Sequence, residues 1–177
     1  MPEPMTVTET LDLPDAAEAR ALRLVALDMD GTLVRSDHTV NEEFWQVATE
    51  LLDRGIVLVA ASGRQRSAIM RTMEPVGDRI TVLSENGSVV WLGDDVLRAE
   101  VVDRDVLVQV VRTVRDLVGQ GLDAGIVAGA PERAYVERSD TEFLTHVRHF
   151  YPEVEVVDDL TNLSAEIVKV ATWSAPC

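Results

Sequence analysis

Apolar positions along the chain gather into short runs that end on polar turn residues. Leu22-Arg23-Leu24-Val25-Ala26-Leu27 is mostly apolar and ends abruptly at Asp28-Met29-Asp30-Gly31-Thr32. A run this short, closed by a turn signal, predicts a strand buried on both faces. Residues 41–54 predict a helix with Phe44, Ala48, Leu51 and Leu52 on one face, capped by Asn41 or Thr39 and ended by Gly55. Ile56-Val57-Leu58-Val59-Ala60-Ala61 predicts a second buried strand, closed by Ser62-Gly63-Arg64. A helix to about Glu74 follows, with Ile69, Met70 and Met73 facing inward. Ile80-Thr81-Val82-Leu83 predicts a third strand, closed by Ser84-Glu85-Asn86-Gly87. This β-α-β-α-β order implies a parallel sheet with right-handed crossovers. All three unusual polar loops follow strand C-termini, the edge at which open α/β sheets bind ligands.

The pattern changes after Gly87. Val89 to Leu92 and Leu97 to Val102 flank Gly93-Asp94-Asp95 and predict a hairpin. Residues 104–118 predict a helix with Leu107, Val110, Val111, Val114 and Leu117 on one face. Strands are expected near 122–128 and 133–137, then a helix over about 140–150 opening with the capping box Ser139-Asp140-Thr141-Glu142. Two more strands are expected near 154–157 and 166–172. The two helix–strand–strand units form a weak internal repeat with antiparallel strands. The expected organisation is a mobile leader over 1–21, a core over 22–87, and a second α+β unit over 88–177, joined at about Gly87–Ser88.

Composition narrows the function. With 177 residues and 46% apolar content the chain can bury a sizeable core. Its formal charge of −15 repels phosphate backbones and anionic bilayers, so no nucleic-acid or membrane partner is expected. No apolar run approaches the length of a spanning helix. The only cysteine is Cys177, which excludes an intrachain disulfide and fits a reducing cytoplasm. Lys169 is the only lysine, every other cationic residue counted as Lys or Arg being Arg.

Asp28 and Asp30 stand two apart at the end of the first strand. Carboxylates this close repel and call for a neutralising cation; a hard divalent ion such as Mg²⁺ suits oxygen ligands. A carboxylate can also attack phosphorus to give an acyl phosphate, while a second one protonates the leaving oxygen and later deprotonates water. Gly31 permits a sharp turn that points backbone N–H groups at an anion, and Thr32 adds a hydroxyl. Ser62 offers a hydroxyl and an N–H at a helix start, a natural phosphate site. An isolated Asp-x-Asp-Gly is often only a turn or a calcium loop. The preceding buried strand, Thr32, and Ser62-Gly63-Arg64 at the next strand end argue against both here.

Leu27-Asp28-Met29-Asp30-Gly31-Thr32-Leu33 resembles the first motif of the haloacid dehalogenase (HAD) superfamily. Ala61-Ser62-Gly63-Arg64 resembles its second motif, and Ser84-Glu85-Asn86-Gly87 is similar to the Cof-type phosphatases. The resemblance covers about residues 22–173. It implies an α/β fold: a doubly wound, Rossmann-like parallel sheet core with an inserted α+β cap domain. It implies a Mg²⁺-dependent phosphatase of small phosphorylated metabolites, such as sugar phosphates, working through an aspartyl-phosphate. Asp28 would be nucleophile and metal ligand. Asp30 would be general acid/base and bind the metal through its carbonyl. Gly31, Thr32, Ser62, Gly63, Arg64 and Asn86 would surround the substrate, with Ser62 on the phosphoryl group.

Two family motifs that follow the cap, one carrying a Lys and one of Gly-Asp-x-x-Asn-Asp type, are missing here. We therefore expect a truncated or frameshifted member whose core lacks its C-terminal half. The Leu24–Leu27 strand would then be a sheet edge that invites self-association. Lys169 is read as a solvated lysine of the cap surface. His38, His146 and His149 are read as surface or packing residues, and Trp45, Trp91 and Trp173 as packing residues. Arg35, Arg64 and Arg66 lie near the site, and Arg64 could either attract phosphate or simply begin a helix. The alternative function is an inert fragment or binding module. A phosphorylation-receiver domain fits poorly, since the Gly-Thr-Leu turn and the cap have no place there.

Overall fold

The structure, a computed structural model, describes residues 15–175. Residues 1–14, most of the expected leader, lie outside the described residues. Its last part, Ala16–Ala21, forms a short helix, α1, capped by Asp15, whose carboxylate accepts from Ala17 N and Glu18 N.

Two sheets organise the chain. The first has the order β1-β2-β3-β4-β5, built from Leu24–Asp28, Val57–Ala61, Thr81–Ser84, Val89–Leu92 and Asp95–Ala99. β1, β2 and β3 run parallel, as the β-α-β-α-β reading requires, and β4 and β5 run antiparallel. The connections carry α2 (Glu42–Asp53) and α3 (Arg66–Thr72). Asn41 is the cap of α2, its Oδ1 accepting from Glu43 N at 3.1 Å. Gly55, at φ 76°, takes the left-handed conformation that ends the helix.

Leu58, Ala60, Val82 and Trp91 of the sheet pack with Ala48 of α2 and Ile69 of α3 in one buried core, joined by Met73. Phe44, Leu51 and Leu52 pack against it from α2, as their shared face predicts. Trp91 is fully buried, and its indole N–H donates to Ser84 Oγ at 3.0 Å.

The second sheet has the order β8-β7-β6-β9, from Val154–Val156, Ala134–Val136, Ala124–Gly129 and Lys169–Ser174. Helix α4 (Arg104–Gly119) buries Leu107 and Val111 against Ile126 and Ala128. Helix α5 (Thr141–Phe150) buries Phe143 and Val147 against Val127 and Val136. Gly125 is needed there, because a Cβ would stand 2.4 Å from Phe143 Cε2.

Several expectations change. β1 is not buried on both faces: it pairs only with β2 among the described residues, and Leu24 is half exposed. The 89–99 hairpin pairs with β3 and extends the first sheet, so the second sheet begins well past Gly87–Ser88. Strand alternation shows which face a residue takes, but not which neighbour the strand will find. The cap of α5 is Asp140, which accepts from Phe143 N, rather than Ser139. β7 and β8 are parallel rather than antiparallel.

Candidate functional site

β1 ends at Asp28, and the following turn folds back at once. Leu33 N donates to Asp28 O, Val34 N to Met29 O, and Gly31 N to Val34 O. Gly31 sits at φ 79°, a left-handed position that glycine adopts without a Cβ clash. The turn leaves Asp28 and Asp30 at the C-terminal edge of the sheet while Met29 is buried beneath them. Thr32 Oγ1 donates to Asp28 Oδ2 at 3.0 Å.

The turn after β2 meets them. Ser62 Oγ donates to Asp30 Oδ2 at 3.4 Å and accepts from Arg64 N at 3.2 Å. The Arg64 guanidinium grips Asp30 with two N–H groups, Nε at 3.1 Å from Oδ2 and Nη2 on Oδ1. Arg64 thus neutralises one of the two carboxylates, a fork geometry in which arginine excels. The two acidic side chains therefore stand in different settings: Asp28 faces a hydroxyl, Asp30 a cation.

The third strand-end turn closes the group. Asn86 N donates to Ser62 O at 3.2 Å, and Glu85 N to Arg64 O at 3.1 Å. Glu85 and Asn86 both take positive φ, 53° and 61°. For a side-chain-bearing residue this conformation costs about 1–2 kcal/mol, offset by the surrounding contacts. Gly31, Thr32, Ser62, Gly63, Arg64 and Asn86 all lie on these three adjoining turns.

Lys169 is not a solvated lysine. Its side chain is 19% exposed, and Nζ donates to Gly63 O at 2.7 Å and stands 3.4 Å from Glu85 Oε2. Glu85 is completely buried. Burial pushes its carboxyl above the usual range, and the Lys169 ammonium pulls it back. Tyr151, buried beside it, has its hydroxyl pushed up by burial and by the Glu85 charge. Gln65, also fully buried, exchanges two hydrogen bonds with the Glu153 backbone, both at 3.1 Å. Sequence reasoning did not single out buried Glu85 and Gln65, which adjoin the candidate turns, and misplaced Lys169. The usable signal for Lys169 was its position as the lone lysine within the apolar run Ile167-Val168-Lys169-Val170.

The other candidates pack. His146 lies against Phe150 and Trp173, and His38 meets His149 edge-on with centroids 6.3 Å apart. Arg66 covers Trp91 and pairs with Asp94. Trp173 stacks edge-on against Phe143.

The donor set suits Mg²⁺ in kind: a carboxylate at Asp28 and a backbone carbonyl at Asp30 are hard oxygens. Among the described residues no three His, Cys, Asp or Glu side chains converge as a metal cluster. Mg²⁺ tolerates this, since it commonly keeps several waters and takes one or two carboxylates plus phosphate oxygens. The Asp30 carboxylate is committed to Arg64, which leaves Asp28 as the available side-chain ligand.

A family model for haloacid dehalogenase-like hydrolases matches residues 25–174. The Escherichia coli K12 protein 5-amino-6-(5-phospho-D-ribitylamino)uracil phosphatase YbjI is 30% identical over 146 residues, covering 81% of this chain and 52% of that relative. A Eubacterium rectale crystal structure is 28% identical with a TM-score of 0.75, covering 85% of this chain and 57% of the other. A haloacid dehalogenase-like hydrolase from Bacteroides thetaiotaomicron shares the fold at a TM-score of 0.70 and 20% identity, over 84% of this chain and 57% of its own. The chain thus spans about half the length of the curated relative YbjI. Among the described residues no helix is long and apolar enough to cross a membrane. Motifs, sheet topology and family match agree: the chain belongs to the haloacid dehalogenase-like hydrolases.

Proposed function

We propose that the chain carries the nucleophile-bearing core of a cytoplasmic phosphatase of small phosphorylated metabolites, such as sugar phosphates. The observation that supports this most is the meeting of Asp28, Asp30 and Ser62 at one sheet edge, with Thr32 on the first carboxylate and Arg64 on the second. YbjI, a relative over most of this chain, is named as a phosphatase of a phosphorylated metabolite.

Asp28 attacks phosphorus, and the P–O bond to the leaving group breaks. Once substrate phosphate has drawn the Arg64 guanidinium away, Asp30, protonated, gives that proton to the departing oxygen. Asp28 now bears the phosphoryl group as an acyl phosphate. Asp30 then takes a proton from water, and that water attacks phosphorus, releasing phosphate and freeing Asp28. For this cycle Arg64 must give up part of its grip on Asp30, and substrate phosphate is the anion that competes for the guanidinium. Ser62 Oγ, Thr32 Oγ1 and the Arg64 N–H hold phosphoryl oxygens, and Gly31, Gly63 and Asn86 shape the pocket around them. Mg²⁺, held by Asp28 and the Asp30 carbonyl, would supply positive charge opposite the phosphoryl oxygens.

The fork that ties the Asp30 carboxylate to Arg64 favours a second reading, an inert fragment or a binding module that holds phosphate without turning it over. Release of phosphate from p-nitrophenyl phosphate, with and without Mg²⁺, separates the two. Mg²⁺-dependent release that Asp28→Asn abolishes supports the phosphatase. Phosphate binding without release supports the module.

A further inference from the structure

We propose that Lys169 is a positioning residue that fixes the Ser62-Gly63-Arg64 turn from the second sheet, with buried Glu85 as its counter-charge. Lys169 Nζ donates to Gly63 O at 2.7 Å and stands 3.4 Å from Glu85 Oε2. Glu85 in turn donates its backbone N–H to Arg64 O, at 3.1 Å. Three residues from three strand ends therefore close a circuit around the turn that carries the candidate phosphate donors.

The surroundings make this a built arrangement rather than a chance contact. Every other ion pair among the described residues uses an arginine, and in each the acid is at least partly exposed; Glu85 alone is completely buried. A lysine suits the place because a compact ammonium can serve a carbonyl and a carboxylate at once. Glu85 is held at φ 53°, a conformation that persists only where surrounding contacts enforce it. Space around it is also controlled: a Cβ at Gly129 would stand 3.3 Å from Glu85 Oε2. Lys169 itself starts β9 directly opposite Gly129. Its neighbour Val168 belongs to the buried core of the first sheet, so its backbone is anchored on both sides.

The consequence is that the turn cannot move freely from the second sheet. Gly63 is fixed on one side by Lys169 and on the other by Asn86, and Gln65 ties the next position to Glu153. Lys169 touches none of the candidate phosphate donors directly. It acts through the carbonyl between Ser62 and Arg64.

Amide hydrogen exchange at Glu85 and Asn86 reads this circuit, because those N–H groups donate to Arg64 O and Ser62 O. Lys169→Met combined with Glu85→Gln removes the cation without stranding a buried charge. Lys169→Arg retains the cation, and a cavity of about 180 Å³ beside Lys169 receives the larger head. In the double variant, exchange at positions 85 and 86 should rise about tenfold while the buried strand β6 stays protected. Lys169→Arg should keep both amides close to their parent rates. Inorganic phosphate, followed at the Ser62 and Arg64 amides, should bind about tenfold more weakly to the double variant. Unchanged exchange in the double variant, or a uniform rise that includes β6, would overturn the proposal. The phosphate arm rests on the phosphatase reading: a parent protein that ignores phosphate counts against that reading, while exchange at 85 and 86 still decides the role of Lys169.

Discussion

Gly63 and Asn86 are in such close approach that a Cβ on Gly63 would stand 2.3 Å from Asn86 Oδ1. Two strand-end turns, each bearing candidate site residues, interlock at this point. Gly63→Ala must therefore displace Asn86 or shift the turn. It should cost about 1–3 kcal/mol, the usual penalty for overpacking, and move the Asn86 side-chain amide signals. Chemical denaturation with NMR checks both. An unchanged stability and an unmoved Asn86 would mean that the contact is not a constraint.

Arg64 and Asp30 form a fork whose side chains are 21% and 50% exposed. An exposed pair of this kind contributes at most about 1 kcal/mol to stability. Arg64→Ala should then melt close to the parent while phosphate release falls roughly a hundredfold, because the guanidinium that would take the substrate phosphate is gone. Steady-state kinetics alongside a melt separates these effects. Parent-like turnover would remove Arg64 from the site.

Asp159 offers a pH test away from the site. Hydrogen bonds from Thr161, with help from Arg115, hold its carboxyl down at about 2. A folded value below the ordinary one of about 3.9 adds stability above that ordinary value, and the gain is lost as pH falls toward the folded value. Asp159→Asn should therefore melt below the parent at neutral pH, and the gap should close as pH drops from about 5 toward 2. A gap independent of pH would contradict the assignment.

β1 presents an unpaired edge among the described residues, with Leu24 52% exposed. Such edges template pairing with a second copy. Sedimentation should show self-association at micromolar concentration, and Leu24→Lys should shift the protein toward monomer. A monodisperse parent monomer would show that the edge is protected.

Much of this was legible in the sequence, for identifiable reasons. Buried strands closed by Asp28-Met29-Asp30, Ser62-Gly63-Arg64 and Ser84-Glu85-Asn86 placed the polar turns at one sheet edge, since parallel crossovers admit little else. The structure brings Asp28, Asp30 and Ser62 together there. What was not legible depended on partners distant in the chain. The hairpin's attachment to β3 follows from packing, which local alternation does not encode. Lys169 looked solvated because nothing near it in sequence reveals Gly63 and Glu85 waiting across the two sheets. The fork of Arg64 on the Asp30 carboxylate joins residues 34 apart, and spacing leaves open whether Arg64 meets an anion or begins a helix.

The phosphatase reading turns on Asp28 as the carrier of the phosphoryl group. Incubation with a phosphorylated sugar or p-nitrophenyl phosphate and Mg²⁺, then quenching with borohydride, reduces an acyl phosphate to an alcohol and marks its position. Peptide mass spectrometry should find homoserine at residue 28 with residue 30 still aspartate, and no homoserine in the Asp28→Asn variant. Phosphate release with no homoserine at residue 28 would contradict the account.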